Sequence, residues 1–389
     1  MRLLPFALAA GLMPAALQAQ CGGDFQNFVQ ALKDEAVLAG YDAATIRGFF
    51  EGTRQDPEVI EADRSQGVFQ KPFLEFSRRL ISRHRLQRGR RMAEEHDRIF
   101  RRIEAAYGIS RGVLLAFWAF ETDYGGYQGD FNTRDALVTL AHDCRRPELF
   151  RPQVLAALEL YRRGNFDPAT TTGAWAGEIG MVQMLPGDIL SHGVDADGDG
   201  QVNLKGSAAD ALMSAARMLS HLGWRPGEPW LQEVVLPEGF DPGESGILHK
   251  KPVSVWQQLG LRPRSGALAE PEMKAALLLP QGHKGPAFLA YPNFGVFFDW
   301  NQSFTYVLTA AYFATRLEGA GVYQPGRPEP GLSGAEMREL QQKLQARGHN
   351  VGGIDGILGA RTRMAVKKEQ ERLGLPADAW PTPGLLGQL

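Results

Sequence analysis

Residues 113–126 read VLLAFWAFETDYGG, so eight apolar residues in a row lead directly into Glu121 and a polar turn. A run this apolar, without proline or glycine, is typical of a helix packed inside a domain. The carboxylate that closes it is then close to the core, where burial disfavours the ionised form and raises the pKa. Enzymes make carboxylic acids donate protons near neutral pH in this way, so Glu121 is a candidate general acid. The alternative is a polar residue that only marks the end of the helix.

The spacing of apolar residues elsewhere predicts a mainly helical chain. Helical periodicity covers 24–52, 72–106, 111–120, 147–163, 207–222 and 302–319, and short strand-like stretches occur at 233–236 and 288–291. Proline and glycine become frequent between 223 and 300, which predicts loops and a small sheet forming one wall of a cleft. The expected fold class is mainly α, within the α+β group.

The N-terminus has the pattern of an export signal. A basic residue precedes the apolar stretch 3–17, and small or polar residues follow it. We expect a signal peptide at 1–19 and a periplasmic protein. The stretch is shorter than the roughly 20 apolar residues of a spanning helix, and no other transmembrane span is predicted. Gln18 and Gln20 do not fit the acylation signal before Cys21, so we expect a soluble protein without a lipid anchor.

Cysteine count and net charge limit the classes of protein and partner that remain possible. Cys21 and Cys144 are the only cysteines, and in an exported chain one disulfide is the simplest expectation, with two free thiols as the alternative. The net charge of −2, from 42 basic and 44 acidic residues, argues against nucleic acid as a partner. The arginine-rich segment 78–102 is interpreted as a solvated helix face, although it could also favour an anionic polymer.

The last 66 residues divide into a Pro/Gly-rich linker, 324–331, and a compact unit, 332–389. The spaced residues of this unit are Leu340, Gln341, Leu344, Gly348, Gly353, Ile354, Asp355, Gly356, Gly359, Thr362, Ala365, Gln370, Gly374, Leu375, Thr382, Leu385 and Leu386. This pattern resembles the small three-helix peptidoglycan-binding domain of cell-wall enzymes; a helical module without a ligand is the alternative. The unit departs from that family at Asp378-Ala379-Trp380-Pro381-Thr382, where Asp-Gly usually precedes the Thr.

The body of the chain carries a second set of ordered blocks. These are Tyr107-Gly108, residues 120–125, 174–186, 195–203, 285–288 and 291–294, and residues 300–303 with Tyr306. Together, from about Phe25 to Leu317, they resemble the lytic murein transglycosylase B family, glycoside hydrolase family 103. The resemblance implies a lysozyme-like helical catalytic domain, here 20–323, that acts on the glycan strands of peptidoglycan.

The resemblance also implies a mechanism. Glu121 would be the single catalytic carboxylate, cleaving the β-1,4 bond between N-acetylmuramic acid (MurNAc) and N-acetylglucosamine (GlcNAc) without water and leaving a 1,6-anhydroMurNAc end. No cofactor takes part in this chemistry. Asp123 is expected to point to another face of the helix. One alternative is a hydrolytic muramidase, with Glu178 as the second carboxylate that glycosidases ordinarily use. The other is a non-catalytic peptidoglycan-binding protein.

Substrate binding is likewise implied by resemblance. The residues concerned are Gln183, Tyr291, Asn301, Tyr306, Trp175 and Trp300, with Phe294 as a further aromatic face. Core packing is the alternative for each aromatic residue, above all for Trp175. Two departures from the family pattern affect the fine geometry of substrate binding. Ala174 stands where the family often has a serine able to bond the catalytic Glu, and Trp300 stands where a tyrosine can occur.

Residues 195–204 read DADGDGQVNL, a calcium-loop pattern with acids at loop positions 1, 3 and 5 and glycine at 6. Position 12 is Gly206, and the resemblance implies that a later acid, Asp210, closes the site instead. The predicted ligands of a structural Ca²⁺ are Asp195, Asp197, Asp199, Gln201 and Asp210. The alternative is an Asp-Gly turn with no ion or only weak binding. A monomer is the default expectation.

Overall fold

The structure is a computed structural model that describes residues 21–65 and 71–389. The predicted signal peptide, 1–19, lies outside these residues. The helices are α1 (Phe25–Leu38), α2 (Ala43–Phe50), α3 (Pro57–Arg64), α4 (Phe73–Leu80), α5 (Arg83–Glu95), α6 (Asp97–Tyr107), α7 (Arg111–Thr122), α8 (Thr133–His142), α9 (Pro147–Arg162), α10 (Pro186–His192), α11 (Ala208–His221), α12 (Val253–Gln258), α13 (Phe294–Trp300), α14 (Phe304–Leu317), α15 (Gly334–Ala346), α16 (Ala360–Arg372) and α17 (Pro383–Leu386). The strands are β1 (Phe131–Asn132), β2 (Thr172–Gly173), β3 (Leu231–Val235), β4 (Lys250–Pro252), β5 (Arg262–Pro263), β6 (Lys274–Leu278) and β7 (Ala287–Ala290).

Helix α7 is the centre of the body. Its residues from Gly112 to Ala119 are all buried, because the run is apolar on every side. It packs chiefly against α14, and also against α5 and α11. Gly112 allows the close approach to α14, since a Cβ there would lie 2.8 Å from the Ala314 carbonyl oxygen. The helix ends where Asp123 takes a left-handed conformation, with φ of 50°.

The five-stranded antiparallel sheet has the order β4-β6-β7-β3-β5. Its register pairs Leu231 with Ala290 and Val234 with Ala287. One face has a core of its own that includes Trp256, Leu277 and Leu289. Residues of the other face, such as Phe288, pack into the main helical core. The sheet thus forms a wall against the helical body, and the predicted mainly α fold with a small β-containing wall is confirmed.

The structure divides two of the predicted helical segments and adds elements that the periodicity did not indicate. Segment 24–52 breaks at Gly40, with φ of 89°, and restarts where Asp42 caps α2. Segment 72–106 forms α4, α5 and α6. Helix α8 was not predicted, because all of its residues are buried, polar ones included, so it shows no amphipathic period. Strand β6 was missed because its residues, Lys, Ala and Leu, are not enriched in strands and its apolar run does not alternate.

Residues 332–389 form three helices around a small core of their own, built on Leu340, Leu344 and Val366. Helix α15 begins with a capping box formed by Ser333 and Glu336. Residues 324–331 contain no helix or strand. They contact the β6–β7 turn, where the Arg327 amide donates to the Lys284 carbonyl oxygen at 2.7 Å.

A disulfide joins Cys21 to Cys144, just after α8. The Gly22 amide adds a hydrogen bond to the His142 carbonyl oxygen at 2.8 Å. Within the described ranges, no single helix is long and apolar enough to cross a membrane. Only α6 and α7 taken together, a pair bent by 118°, have the length and composition.

Candidate active site

The carboxyl group of Glu121 lies at the C-terminal end of α7, where two side chains from another part of the chain meet it. The Tyr306 hydroxyl donates to Glu121 Oε1 at 2.5 Å, and Trp300 Nε1 donates to the same oxygen at 3.0 Å. Trp300 closes α13 and Tyr306 lies in the first turn of α14, so one helix–helix corner supplies both donors. Charge-assisted hydrogen bonds of this kind hold a carboxylate in one orientation.

Aromatic packing fixes this corner. The Trp300 ring lies 4.5 Å from the Phe117 ring of α7, and Phe117 stacks on Phe297 at 5.0 Å. Phe120 meets the Tyr306 ring edge-on at 5.9 Å. The apolar run before Glu121 therefore does more than bury a helix, because its aromatic residues position the two groups that bind the carboxylate.

The surroundings of Glu121 set its acidity. Burial of the carboxyl group is the largest effect and raises its pKa from 4.5 to about 7. The hydrogen bonds from Tyr306 and Trp300 act in the opposite sense, and the charge of Glu178 adds a smaller upward push. The result is a carboxyl group poised to give and accept a proton near neutral pH.

The residues after Glu121 anchor the helix end. Thr122 Oγ1 donates to the Met181 carbonyl oxygen at 2.6 Å and accepts from the Gly125 amide at 2.9 Å. The carboxylate of Asp123 is held by Arg85 and Arg88, each at 2.9 Å. Asp123 thus faces the arginines of α5, which agrees with the expectation that it points away from the face of Glu121.

Loop 174–186 runs beside this helix end. It is closed by a backbone bridge between Ile179 and Met184. Gln183 has a positive φ of 53°, and its Nε2 donates to the Gly180 carbonyl oxygen at 2.8 Å. Trp175 is partly buried and packs on the main core. The bond from Thr122 to Met181 therefore ties this loop, which carries Gln183 and Trp175, to the end of α7.

Glu178 is the second acidic group of the site. Burial raises the pKa of its carboxyl group, and its charge acts on Glu121. Its Oε2 is buried without a hydrogen-bond partner in the described part of the chain. A buried carboxyl group with an unsatisfied oxygen is costly when ionised, so the protonated form is favoured.

Two predicted substrate residues lie in other surroundings. Tyr291 follows β7, packs in the core of the sheet, and donates its hydroxyl to Gln232 Oε1 at 2.7 Å. Asn301 caps the end of α13, where its Oδ1 accepts from the Ser303 amide at 2.9 Å. Among the described residues, Trp300 and Tyr306, predicted to touch sugar, donate the hydrogen bonds to Glu121, and Tyr291 and Asn301 do not.

The acidic loop gathers three of its five predicted ligands. Carboxylate oxygens of Asp195, Asp197 and Asp210 lie within 4.8 Å of one another, with Asp210 buried and the other two exposed. Asp199 Oδ1 instead accepts from the Gln201 amide at 2.8 Å. Three converging carboxylates fit the oxygen ligands that Ca²⁺ requires. The acidic loop, residues 195–204, also contacts loop 174–186, because the Met181 amide donates to the Leu204 carbonyl oxygen at 2.9 Å.

Comparison with known proteins identifies the family. Residues 24–315 match the transglycosylase SLT domain, and residues 333–389 match a peptidoglycan binding domain. The chain belongs to the transglycosylase SLT family. It is therefore a lytic transglycosylase with an appended module, and both predicted resemblances are confirmed.

Three lytic transglycosylases are similar to this chain in sequence or structure. SltB3 from Pseudomonas aeruginosa, solved in complex with NAG-anhNAM-pentapeptide, is 38% identical, with a TM-score of 0.87 over 94% of this chain and 99% of that one. The lytic transglycosylase Slt35 of Escherichia coli, solved in complex with calcium, is 25% identical, with a TM-score of 0.66 over 79% of this chain and 98% of that one. Membrane-bound lytic murein transglycosylase B of Escherichia coli strain K12 is 26% identical over 303 residues, which are 74% of this chain and 82% of that protein.

Sequence reasoning about this transglycosylase missed two features. The first is Thr122, whose hydroxyl ties α7 to loop 174–186; a threonine directly after the candidate acid was the available signal. The second is the bond from Trp300 to Glu121. Trp300 departs from the family pattern, and so does Ala174, which has no hydroxyl to offer the acid. The indole and the Tyr306 hydroxyl provide the hydrogen bonds that Glu121 receives.

Proposed function

We propose that the protein cleaves the β-1,4 bond between MurNAc and GlcNAc in peptidoglycan without water, with Glu121 as the single general acid and base. The observation that carries this proposal is the Glu121 carboxyl group, with a pKa of about 7 and two donors on one oxygen. A group that must donate and then accept a proton works best when its pKa is near the operating pH.

In the proposed reaction, Glu121 carries out both proton transfers. Protonated Glu121 gives its proton to the glycosidic oxygen, and the bond from that oxygen to the muramic C1 breaks. The resulting carboxylate takes the proton of the C6 hydroxyl, whose oxygen bonds to C1 and closes the 1,6-anhydro ring. Trp300 and Tyr306 both bind Oε1, which stabilises the carboxylate and leaves Oε2 to exchange the proton.

Substrate binding is assigned to groups around this acid. We propose that Gln183 and Trp175 of loop 174–186 contact the sugars and that Asn301 lines a more distant part of the cleft, whereas Tyr291, buried in the core of the sheet, supports that wall from behind. Trp300 and Tyr306 present their ring edges to the substrate while holding Glu121. The SltB3 complex with NAG-anhNAM-pentapeptide supports a product of the anhydro type for a relative of this chain.

Hydrolysis is the second candidate function, because Glu178 places another carboxyl group in electrostatic reach of Glu121. A hydrolase would need this group ionised, either to activate water or to attack the sugar. The unsatisfied Oε2 and the raised pKa favour its protonated form, which does neither. A non-catalytic wall-binding protein is disfavoured by the intact environment of Glu121.

The experiment is mass spectrometry of fragments released from purified sacculi by the mature protein, with Glu121→Gln as the control. We expect muropeptides one water lighter than hydrolytic products from the wild type and none from the variant. Fully hydrated reducing ends would favour the muramidase, and no release from either protein would favour the binding protein.

The remaining assignments follow from this activity. We propose that residues 1–19 are removed on export and that the mature, unlipidated monomer works in the periplasm. Residues 20–323 form the catalytic unit, 324–331 the linker and 332–389 the module that binds the wall. The module would raise the local substrate concentration.

We further propose that the acidic loop binds a structural Ca²⁺. Asp195, Asp197 and Asp210 would supply carboxylate oxygens, joined by Asp199 and by the carbonyl oxygen of Gln201. The calcium complex of Slt35 supports this for the family. The ion would brace the loop that contacts Met181 and take no part in the chemistry. Melting temperature with calcium and with a chelator, compared in wild type and Asp210→Asn, tests this role.

A further inference from the structure

The C-terminal module meets the body through a partly buried cation, Arg363, in the first turn of α16. Its Nη2 donates to the Pro280 carbonyl oxygen at 2.9 Å, and its guanidinium carbon lies 4.7 Å from the centre of the Phe304 ring. Burial lowers the pKa of the guanidinium to about 10, against the opposing charge of Asp378. Because a cation over an aromatic face is worth most when desolvated, Phe304 is a principal contact of this charge.

Two further contacts fix the position of α16. Lys367 Nζ donates to the carbonyl oxygens of Gly243 and Ser245, at 2.6 and 2.8 Å. Asp378 Oδ2 accepts from the His283 amide at 3.1 Å and bonds His283 Nδ1 at 2.7 Å. The module is therefore held against the body at three points, of which Arg363 is one.

The segment in which the module departs from its family serves this docking. Asp378 and Trp380 approach the β6–β7 turn so closely that a Cβ at Gly282 would lie 2.7 Å from Asp378 Oδ2 and 3.1 Å from Trp380 Cβ. Ala379, between them, takes a positive φ of 61°, which costs free energy in a residue other than glycine. A sequence that binds only the wall has no need of these contacts with the body.

Phe304 connects the docking site to the active site. It is the first residue of α14, and its ring lies 6.2 Å from Phe298 of α13. Trp300 ends α13, and Tyr306 lies two residues beyond Phe304. Arg363 thus touches the short segment that carries both hydrogen-bond donors to Glu121.

We propose that the docked module acts on catalysis itself, with Arg363 as a positioning residue that holds segment 300–306, through Phe304, in the geometry that binds Glu121. The proposal rests on the proposed function, in which Glu121 is the acid and base. The proposal differs from recruitment of the enzyme to the wall by the module. The effect on catalysis must also appear with a substrate too short to reach the wall-binding surface and the cleft together.

The test measures kcat and KM of the full mature chain on a short soluble glycan of alternating GlcNAc and MurNAc. Arg363→Met removes the charge and keeps most of the bulk, and we expect a kcat about five- to tenfold lower with KM within about twofold of wild type. Arg361→Met is the matched control, because Arg361 is exposed on the same helix, and no change is expected. Arg363→Lys, which keeps a cation near the ring, should restore most of the kcat.

Phe304→Leu tests the same link from the body, and its loss should not add to that of Arg363→Met if both act through one contact. Wild-type kcat for Arg363→Met, an equal loss for Arg361→Met, a change confined to KM, or additive losses would each overturn the proposal. These outcomes can be told apart from a failure of the proposed function, in which the wild type itself would release no anhydro product from this glycan.

Discussion

Glu121 and Glu178 are two buried carboxyl groups close enough for the charge of one to act on the other, and they differ in what surrounds them. Burial raises the pKa of both. Glu121 Oε1 receives hydrogen bonds from Trp300 and Tyr306, whereas Glu178 Oε2 has no partner in the described residues. The two side-chain donors oppose the burial of Glu121 and make its ionised form accessible, whereas only backbone hydrogen bonds and the charge of Arg146 oppose the burial of Glu178. We propose that burial balanced by two side-chain donors on one oxygen is what suits Glu121, rather than Glu178, to the role of general acid and base.

The largest expected effect is on the reaction itself. Glu121→Gln should lower kcat about 10³-fold, since general acid–base catalysis contributes roughly 10²–10⁴-fold. Glu178→Gln should retain most of the activity. Release of muropeptides from sacculi measures both, with circular dichroism to show retained folding. Equal losses of activity in the two variants would show that the two carboxyl groups do not differ in their catalytic role.

The second effect is on stability. The pKa of Glu121 is raised from 4.5 to about 7, so the folded protein binds this proton more tightly than the unfolded chain. The stability that this group contributes is complete below about pH 4.5 and is lost as the pH rises through 7. Glu121→Gln does not titrate, and it should be more stable than wild type by roughly 2–3 kcal/mol at pH 8.5, with a much smaller gain at pH 5. Urea unfolding at the two pH values measures this, and a gain independent of pH would contradict it.

The third effect concerns the donors. The Tyr306 hydroxyl lowers the pKa of Glu121, so Tyr306→Phe should move the alkaline limb of the pH–rate profile upward by up to about one unit and lower kcat about tenfold. Tyr312→Phe is the matched control on the same helix, because that hydroxyl donates to the Gly321 carbonyl oxygen instead. A downward shift for Tyr306→Phe, or equal shifts for the two variants, would show that the donor does not stabilise the carboxylate.

The smallest effect is the influence of one carboxyl group on the other. The charge of Glu178 is the weakest of the influences on Glu121 and raises its pKa. Glu178→Gln should therefore move the alkaline limb downward, by roughly a few tenths of a pH unit. Glu233→Gln, which replaces another partly buried carboxyl group with a raised pKa, should leave the limb in place. An upward shift for Glu178→Gln would reverse the sign of this interaction.

The sequence predicted the fold class and the position of Glu121 because both depend on local patterns. An apolar run predicts a buried helix, and its last residue is found without tertiary information. The donors could not be predicted in the same way, because Trp300 and Tyr306 reach Glu121 across about 180 residues of sequence. Their residue types suggested sugar contacts equally well. Tyr291 shows the same limit, since the pattern could not reveal that its hydroxyl is bound by Gln232.

The docking of the module was equally hidden. Residues 378–382 were recognised as a departure from the family, but only the fold brings Asp378 to His283 and Arg363 to Phe304. Local sequence can mark such a place as unusual. Its use depends on a surface built from distant segments, here the β6–β7 turn and the start of α14.

The most direct measurement is the mass of the muramic ends released from sacculi by the wild type and by Glu178→Gln. If Glu121 is the single acid and base, both proteins release 1,6-anhydro ends one water lighter than hydrolytic products, in similar amounts. Hydrated ends from the wild type that disappear in Glu178→Gln would contradict this and make Glu178 the second carboxylate of a hydrolase.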